Sequence, residues 1–214
     1  MVSTNAIEPA LIPAGGETKA DIVTNSIGEA GKMVDALLSA KSGAEKHDLF
    51  QQLVKSGQID AAIAELQQRQ QQNPNDPEIP TTLGEALLNK VRALRESGAA
   101  DYNQIGILAM QADQDFNAAL KIDPQNWEAQ FVKNVSMVNW PANPEVDNQV
   151  VQNLSRLIDQ QETMPSRPEF AQTYVLLGSE YQKIGQPDRA LATWQLGAQK
   201  FPNDTALQKK INSQ

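Results

Sequence analysis

Three breaks of one form recur along the chain: Asn73-Pro74-Asn75-Asp76, Asp123-Pro124-Gln125-Asn126 and Phe201-Pro202-Asn203-Asp204. Each follows a stretch that ends in long polar residues, and each carries an Asn or Asp able to cap a following helix. Proline just past a helix end stops the helix, because it lacks an N–H and its ring clashes with the preceding turn. A stop-and-restart signal that repeats points to units stacked on their neighbours. Between the breaks, no stretch shows period-two alternation rich in Val, Ile and Thr, so the fold class is all-α.

Aligning the chain on those prolines exposes a longer pattern. The last unit places Tyr174, Leu177, Gly178, Tyr181, Gly185, Ala190, Trp194, Gly197 and Pro202 at positions 4, 7, 8, 11, 15, 20, 24, 27 and 32, counting from residue 171. This set resembles the tetratricopeptide repeat (TPR) of bacterial type, whose 34-residue signature runs W-x2-L-G-x2-Y, then Ala, an aromatic residue, a small residue and Pro. The resemblance implies an α-solenoid of about four TPR-like hairpins with an N-terminal helix and a C-terminal capping helix. In such hairpins, small residues let two helices approach and large ones fill the gaps between neighbours.

The remaining units fit less fully. Residues 43–76 supply Leu49, Leu53, Gly57, Ala62, Leu66 and Pro74 in register, but Phe50 stands where a small residue is expected, and so does Arg69. Residues 77–126 begin with Leu83-Gly84 and end with Ala112, Phe116, Ala119 and Pro124. Gly84 and Ala112 are 28 residues apart where the repeat has 12, so 16 are inserted. Shared between both arms, the insertion lengthens each by about eight residues, roughly 12 Å, with Gly98 at the tip. That hairpin is expected to act as a second contact surface or a steric spacer. Residues 127–170 are degenerate, with Lys133 and Asn134 in place of Leu-Gly, a loop holding Pro141 and Pro144, and a second helix carrying Val150, Val151, Leu154, Leu157 and Ile158. Residues 171–204 close the array, and 205–214 are read as a capping helix and tail with Leu207 and Ile211 inward. Ahead of the array, residues 20–41 read as a helix with a stripe of Val23, Ile27, Ala30, Val34 and Leu38. Residues 1–19 read as a flexible leader, broken by Pro9, Pro13 and Gly15-Gly16.

Composition removes most chemistry. There is no Cys and one His, which excludes thiol chemistry, disulfides and Cys- or His-rich metal sites. A net charge of -8 argues against nucleic acid, which needs clustered Lys and Arg, and favours a neutral or basic partner. Mean hydropathy is -0.46 and no run of 18 apolar residues exists, so no membrane insertion by this chain is expected. His47, near Asp48 and Asp60, has no G-x-S-x-G partner and reads as a surface or groove residue. The pairs Asp113 with Asp115, Glu78 with Glu85, and Glu169 with Glu180 read as solvated surface. The Gln-rich run Gln67–Gln72 reads as a polar helix face. No enzyme, cofactor or metal is expected.

What the resemblance implies for function is protein–protein scaffolding, with the first helix of each hairpin lining a concave groove. Its groove positions give His47 and Gln51, Thr81 and Glu85, Phe131 and Val135, Val175 and Ser179, with Gln182 beside the last pair. None is Lys or Arg, so the carboxylate clamp of some TPR cochaperones is not expected, and the groove should suit a neutral or apolar segment. Phe131 is the best aromatic anchor, with Trp127 and Trp140 nearby. Self-association, or a role as an anchored subunit of a bacterial envelope or secretion complex, stands as the alternative. Cytoplasmic and periplasmic placements both fit; the leader leans to the periplasm, with a targeting segment removed.

Overall fold

The computed structural model describes residues 19–98, 101–141 and 143–213, with side-chain environments from Gly28 onward. The leader, and the stripe positions Val23 and Ile27, therefore lie outside the described environments. The described residues form α-helices without strands: α1 (Lys19–Ser39), α2 (Gly43–Lys55), α3 (Ile59–Gln72), α4 (Glu78–Glu96), α5 (Tyr102–Ile122), α6 (Trp127–Met137), α7 (Pro144–Gln161), α8 (Ala171–Lys183), α9 (Pro187–Lys200) and α10 (Thr205–Asn212). A 3-10 turn, Pro168–Phe170, leads into α8. Helices α2/α3, α4/α5, α6/α7 and α8/α9 are antiparallel hairpins, each packing on the next, and α10 lies against α8 and α9.

Local chemistry explains the punctuation. Asn126, Asn143 and Asp204 cap α6, α7 and α10 by accepting from Ala129, Glu145 and Leu207 N–H groups. Pro144 is the first residue of α7 rather than part of the preceding loop, a position where its missing N–H costs nothing. Gly57, Gly98 and Gly185 have φ of +72°, +69° and +76° at the turns of three hairpins, where a side chain would be strained.

Two small–large pairs recur at the helix crossings. A Cβ on Gly84 would sit 2.5 Å from the Phe116 ring, and one on Gly178 would sit 2.2 Å from Trp194 Nε1. Phe116 and Trp194 are fully buried because those glycines let the helices close. The first hairpin reverses the arrangement, with Phe50 on its first helix and Leu66 on its second. Helix α3 packs only lightly on α2 and more extensively against α4 and α1, the α1 side presenting a stripe of Ala30, Val34 and Leu37; Leu38 is only half-buried. Arg69 completes that contact by donating to Asp35 (2.5 Å) and to the Gly31 carbonyl (3.3 Å). Its guanidinium tethers α1 where the repeat would have had a small residue. In the third hairpin, Asn134 replaces glycine at the crossing and accepts from Asn153 at 3.2 Å, a hydrogen bond in place of close packing.

The lengthened second hairpin has arms of 19 and 21 residues, against 13 and 14 in the last. The arms are six and seven residues longer, and Gly98 follows the end of α4. The core falls into two clusters, one spanning α1–α5 and the other α6–α10, with Val132 packed against both.

Candidate functional site

The first helices of the hairpins face inward, and the array curls far enough that the start of α2 meets the segment before α8. A Cβ on Gly43 would lie 3.6 Å from Glu169 Cγ. The curl encloses a concave pocket of about 530 Å³ walled by the end of α1, the start of α2, α4, α6 and residues Arg167–Gln172.

Lys46 forms the pocket's floor on the α2 side. It is 6% exposed, and its ammonium lies 2.5 Å from Glu85 of α4 and 3.2 Å from Glu128 of α6. One cation thus joins three successive inner helices and bridges the two apolar clusters. Burial pushes the Glu85 carboxyl up to about 7, the nearby charges of Glu128 and Glu78 adding to the rise and Lys46 opposing it. Burial alone would lower the Lys46 pKa, but its two carboxylates leave it raised. Breaking such a group exposes an uncompensated buried charge, so it holds the inner helices at one spacing.

Opposite Lys46 lies an aromatic wall. Trp127 and Phe131 stack with ring centres 4.9 Å apart and planes within 5°, and Phe170 is tilted against Trp127 at 5.2 Å. The Arg167 guanidinium sits 4.6 Å from the Phe170 ring centre and 5.3 Å from that of Trp127. Arg167 is exposed and makes no ion pair or side-chain hydrogen bond with any described residue.

Of the sequence candidates, His47, Glu85 and Phe131 line this pocket together. Val135 lines an adjoining one with Glu85. Thr81 is fully buried and donates its hydroxyl to the Pro77 carbonyl, so it presents nothing to the groove. Gln51, Val175 and Ser179 are half-buried and Gln182 is exposed; none lines either cavity, and Ser179 bonds back to the Val175 carbonyl. The pocket is more polar than a groove suited to a neutral or apolar segment, because charged residues of both signs, Lys41, Arg92 and Arg167 with Asp48, Glu128 and Glu169, enter it from positions outside the two read per hairpin. Lys46 escaped the sequence reading for the same reason: it stands one position before His47, and its partners are 39 and 82 residues away.

The acidic pairs need one correction. Glu85 is drawn into the Lys46 cluster, and Glu180, 2% exposed, is held by Lys183 at 3.0 Å. Neither is solvated surface; a lysine partner made burial tolerable. Asp113 pairs with Lys133 at 3.2 Å and Asp60 with Lys90 at 2.5 Å. Asp115 is half-buried, and desolvation raises its carboxyl to about 6 although a side-chain hydrogen bond with Gln70 opposes the rise. Among the described residues, no helix is long and apolar enough to cross a membrane, and no three His, Asp or Glu side chains gather as a metal site would need.

No family model and no curated protein matches the chain. Among solved structures it is similar to TTC0263, a thermophilic TPR protein of Thermus thermophilus, at 16% identity and a TM-score of 0.62, covering 91% of this chain and 93% of that one. It is also similar to MamA, at 18% identity and a TM-score of 0.51, covering 76% and 80%. The chain has the helical-repeat fold of the tetratricopeptide-repeat proteins.

Proposed function

We propose that this chain is a non-catalytic protein-interaction scaffold that receives a peptide or protein segment in the pocket enclosed by its inner helices. The observation that carries the reading is the pairing of a half-open concavity of about 530 Å³ with an aromatic wall whose guanidinium has no counter-ion among the described residues. Pockets of this size, mostly pre-formed and with a few placed polar groups, are where ligands seat. The TPR fold supports it, since stacked hairpins leave extended concave surfaces suited to binding. His47 is exposed and its side chain hydrogen-bonds to no described residue, while Glu85 and Glu128 hold Lys46 and Glu78 accepts from the Asn126 amide.

A photo-crosslinking residue at His47 tests the reading against the same residue at Gln71, on the exposed outer face of α3. In native lysate, His47 should give discrete protein adducts that Gln71 does not. Adducts that match at the two positions would refute groove binding.

A further inference from the structure

We infer that the overhanging part of the second hairpin, together with the end of α6, is a docking surface for an acidic protein segment anchored by an apolar side chain. This rests on the scaffold reading above and adds where the partner sits and what it carries. The extra turns of α4 and α5 extend beyond α6, which has only 11 residues, so their inner side lacks the neighbour that the rest of the array supplies. A second cavity of about 330 Å³ opens there, continuous with the first through Glu85, Asn89, Arg92 and Val132. Its floor is apolar, built from Leu88 and Val91 of α4, Val132 and Val135 of α6, and Trp140 just beyond. Trp140 is 37% exposed, which leaves an indole at the rim.

The apolar surface continues onto α5. At 3.6 residues per turn, Ala109, Tyr102, Gly106 and Met110 fall within about 100° of one another around α5. Ala109 lines the cavity, and Tyr102 and Met110 are 88% and 56% exposed. Exposed apolar surface of this continuity marks an interaction site on a folded protein.

Charge selects the occupant. Arg92 and Arg95, one helical turn apart on α4, both line the cavity. Arg95 makes no side-chain hydrogen bond or ion pair with any described residue. Arg92 bonds Asn89 at 2.5 Å, and its nearest carboxylate, the largely exposed Glu96, lies at 4.0 Å. The one acid in the cavity wall, Glu85, already belongs to Lys46. A chain of net charge -8 thus carries, beside a partly exposed apolar surface, two arginines with donor capacity to spare. Arginine meets carboxylates through a rigid fork of donors, so a segment with Asp or Glu flanking a large apolar residue satisfies both features.

The test selects peptides from a random display library on the immobilised full chain, then measures the synthesised winners by fluorescence anisotropy. Enriched sequences should combine Asp or Glu with Leu, Ile, Phe or Trp. Their binding should weaken with added salt and fall by about tenfold in Arg92→Glu/Arg95→Glu, one side chain half-buried and the other exposed, with circular dichroism unchanged. Trp140→Ala should weaken binding while circular dichroism stays that of the parent. Peptides lacking acids, or binding unchanged by both variants, overturn the inference. Loss of binding only in Arg167→Ala moves the partner to the first pocket, which overturns the overhang assignment and leaves the scaffold reading intact. Enrichment of the chain's own sequence, with dimers in light scattering, replaces the partner by a second copy. Failure to enrich any peptide counts against the scaffold reading and this inference together.

Discussion

Replacing Lys46 with Met removes the one cation between two carboxylates and keeps the length of the side chain. Removing a single partner of a buried ion pair typically costs about 3–5 kcal/mol, because the other partner stays buried and unpaired. Here the lower end applies, since Glu128 is partly exposed and water screens it. At pH 8 the expected loss is therefore about 3 kcal/mol. For a domain of this size each kcal/mol moves the melting temperature by about 2–4 °C, so melting should fall by about 6–12 °C. The loss must depend on pH. Glu85 titrates near 7 in the fold against an ordinary value of 4.5, so the folded state holds the extra proton between those values. The associated stabilisation is complete below 4.5 and is lost as pH rises through about 7. Without Lys46 the folded pKa rises further, and at pH 5 Glu85 is neutral. The penalty there should shrink to about 1 kcal/mol, the worth of an ordinary hydrogen bond. Urea melts of parent and variant at pH 5 and pH 8, with Lys46→Met/Glu85→Leu as the expected rescue, decide the matter. An equal penalty at both pH values, or none at pH 8, would falsify the assignment of Lys46 as the clasp between the inner helices.

Three further outcomes follow from the packing. Gly178→Ala and Gly84→Ala should each cost about 1–3 kcal/mol in chemical denaturation, since the new methyl meets Trp194 or Phe116 well inside contact distance, while Gly28→Ala, with open space around it, should stabilise slightly. Arg69→Ala should raise amide exchange in α1 more than elsewhere at a cost of about 1 kcal/mol, because the guanidinium bonds both Asp35 and the Gly31 carbonyl; uniform exchange across the chain would show that α1 is held by packing alone. The parent loses the stabilisation from Asp115 protonation as pH rises from 3.8 through about 6, so Asp115→Asn should gain on the parent above pH 6 in paired urea melts, and parallel pH profiles would contradict that.

The departures from the repeat were legible as departures but not as structures. Phe50 and Arg69 stand out against the signature by position alone. That α1 supplies the missing contact depends on a helix outside the repeat, whose packing on α3 no position within the repeat encodes. Asn134 likewise marks the third unit as irregular, whereas its bond to Asn153 depends on how α6 crosses α7. In the groove, counting two positions per hairpin found His47, Glu85 and Phe131 but also Thr81, which the crossing of α4 with its neighbours seals completely.

The sequence by itself determined the all-α repeat, the small residues at the helix crossings and the site of the overhang. These follow from periodicity, turn chemistry and spacing within one unit, where a few residues along the chain decide the outcome. Only the tertiary structure decided that Lys46 is buried between Glu85 and Glu128, that Arg167 lies over two rings, and that Arg92 and Arg95 edge an uncovered apolar cavity. Apart from Arg167 over Phe170, those contacts join residues dozens of positions apart, and the turn from one hairpin to the next sets which of them meet. No local pattern carries that angle, because it is the sum of all the packing between the hairpins.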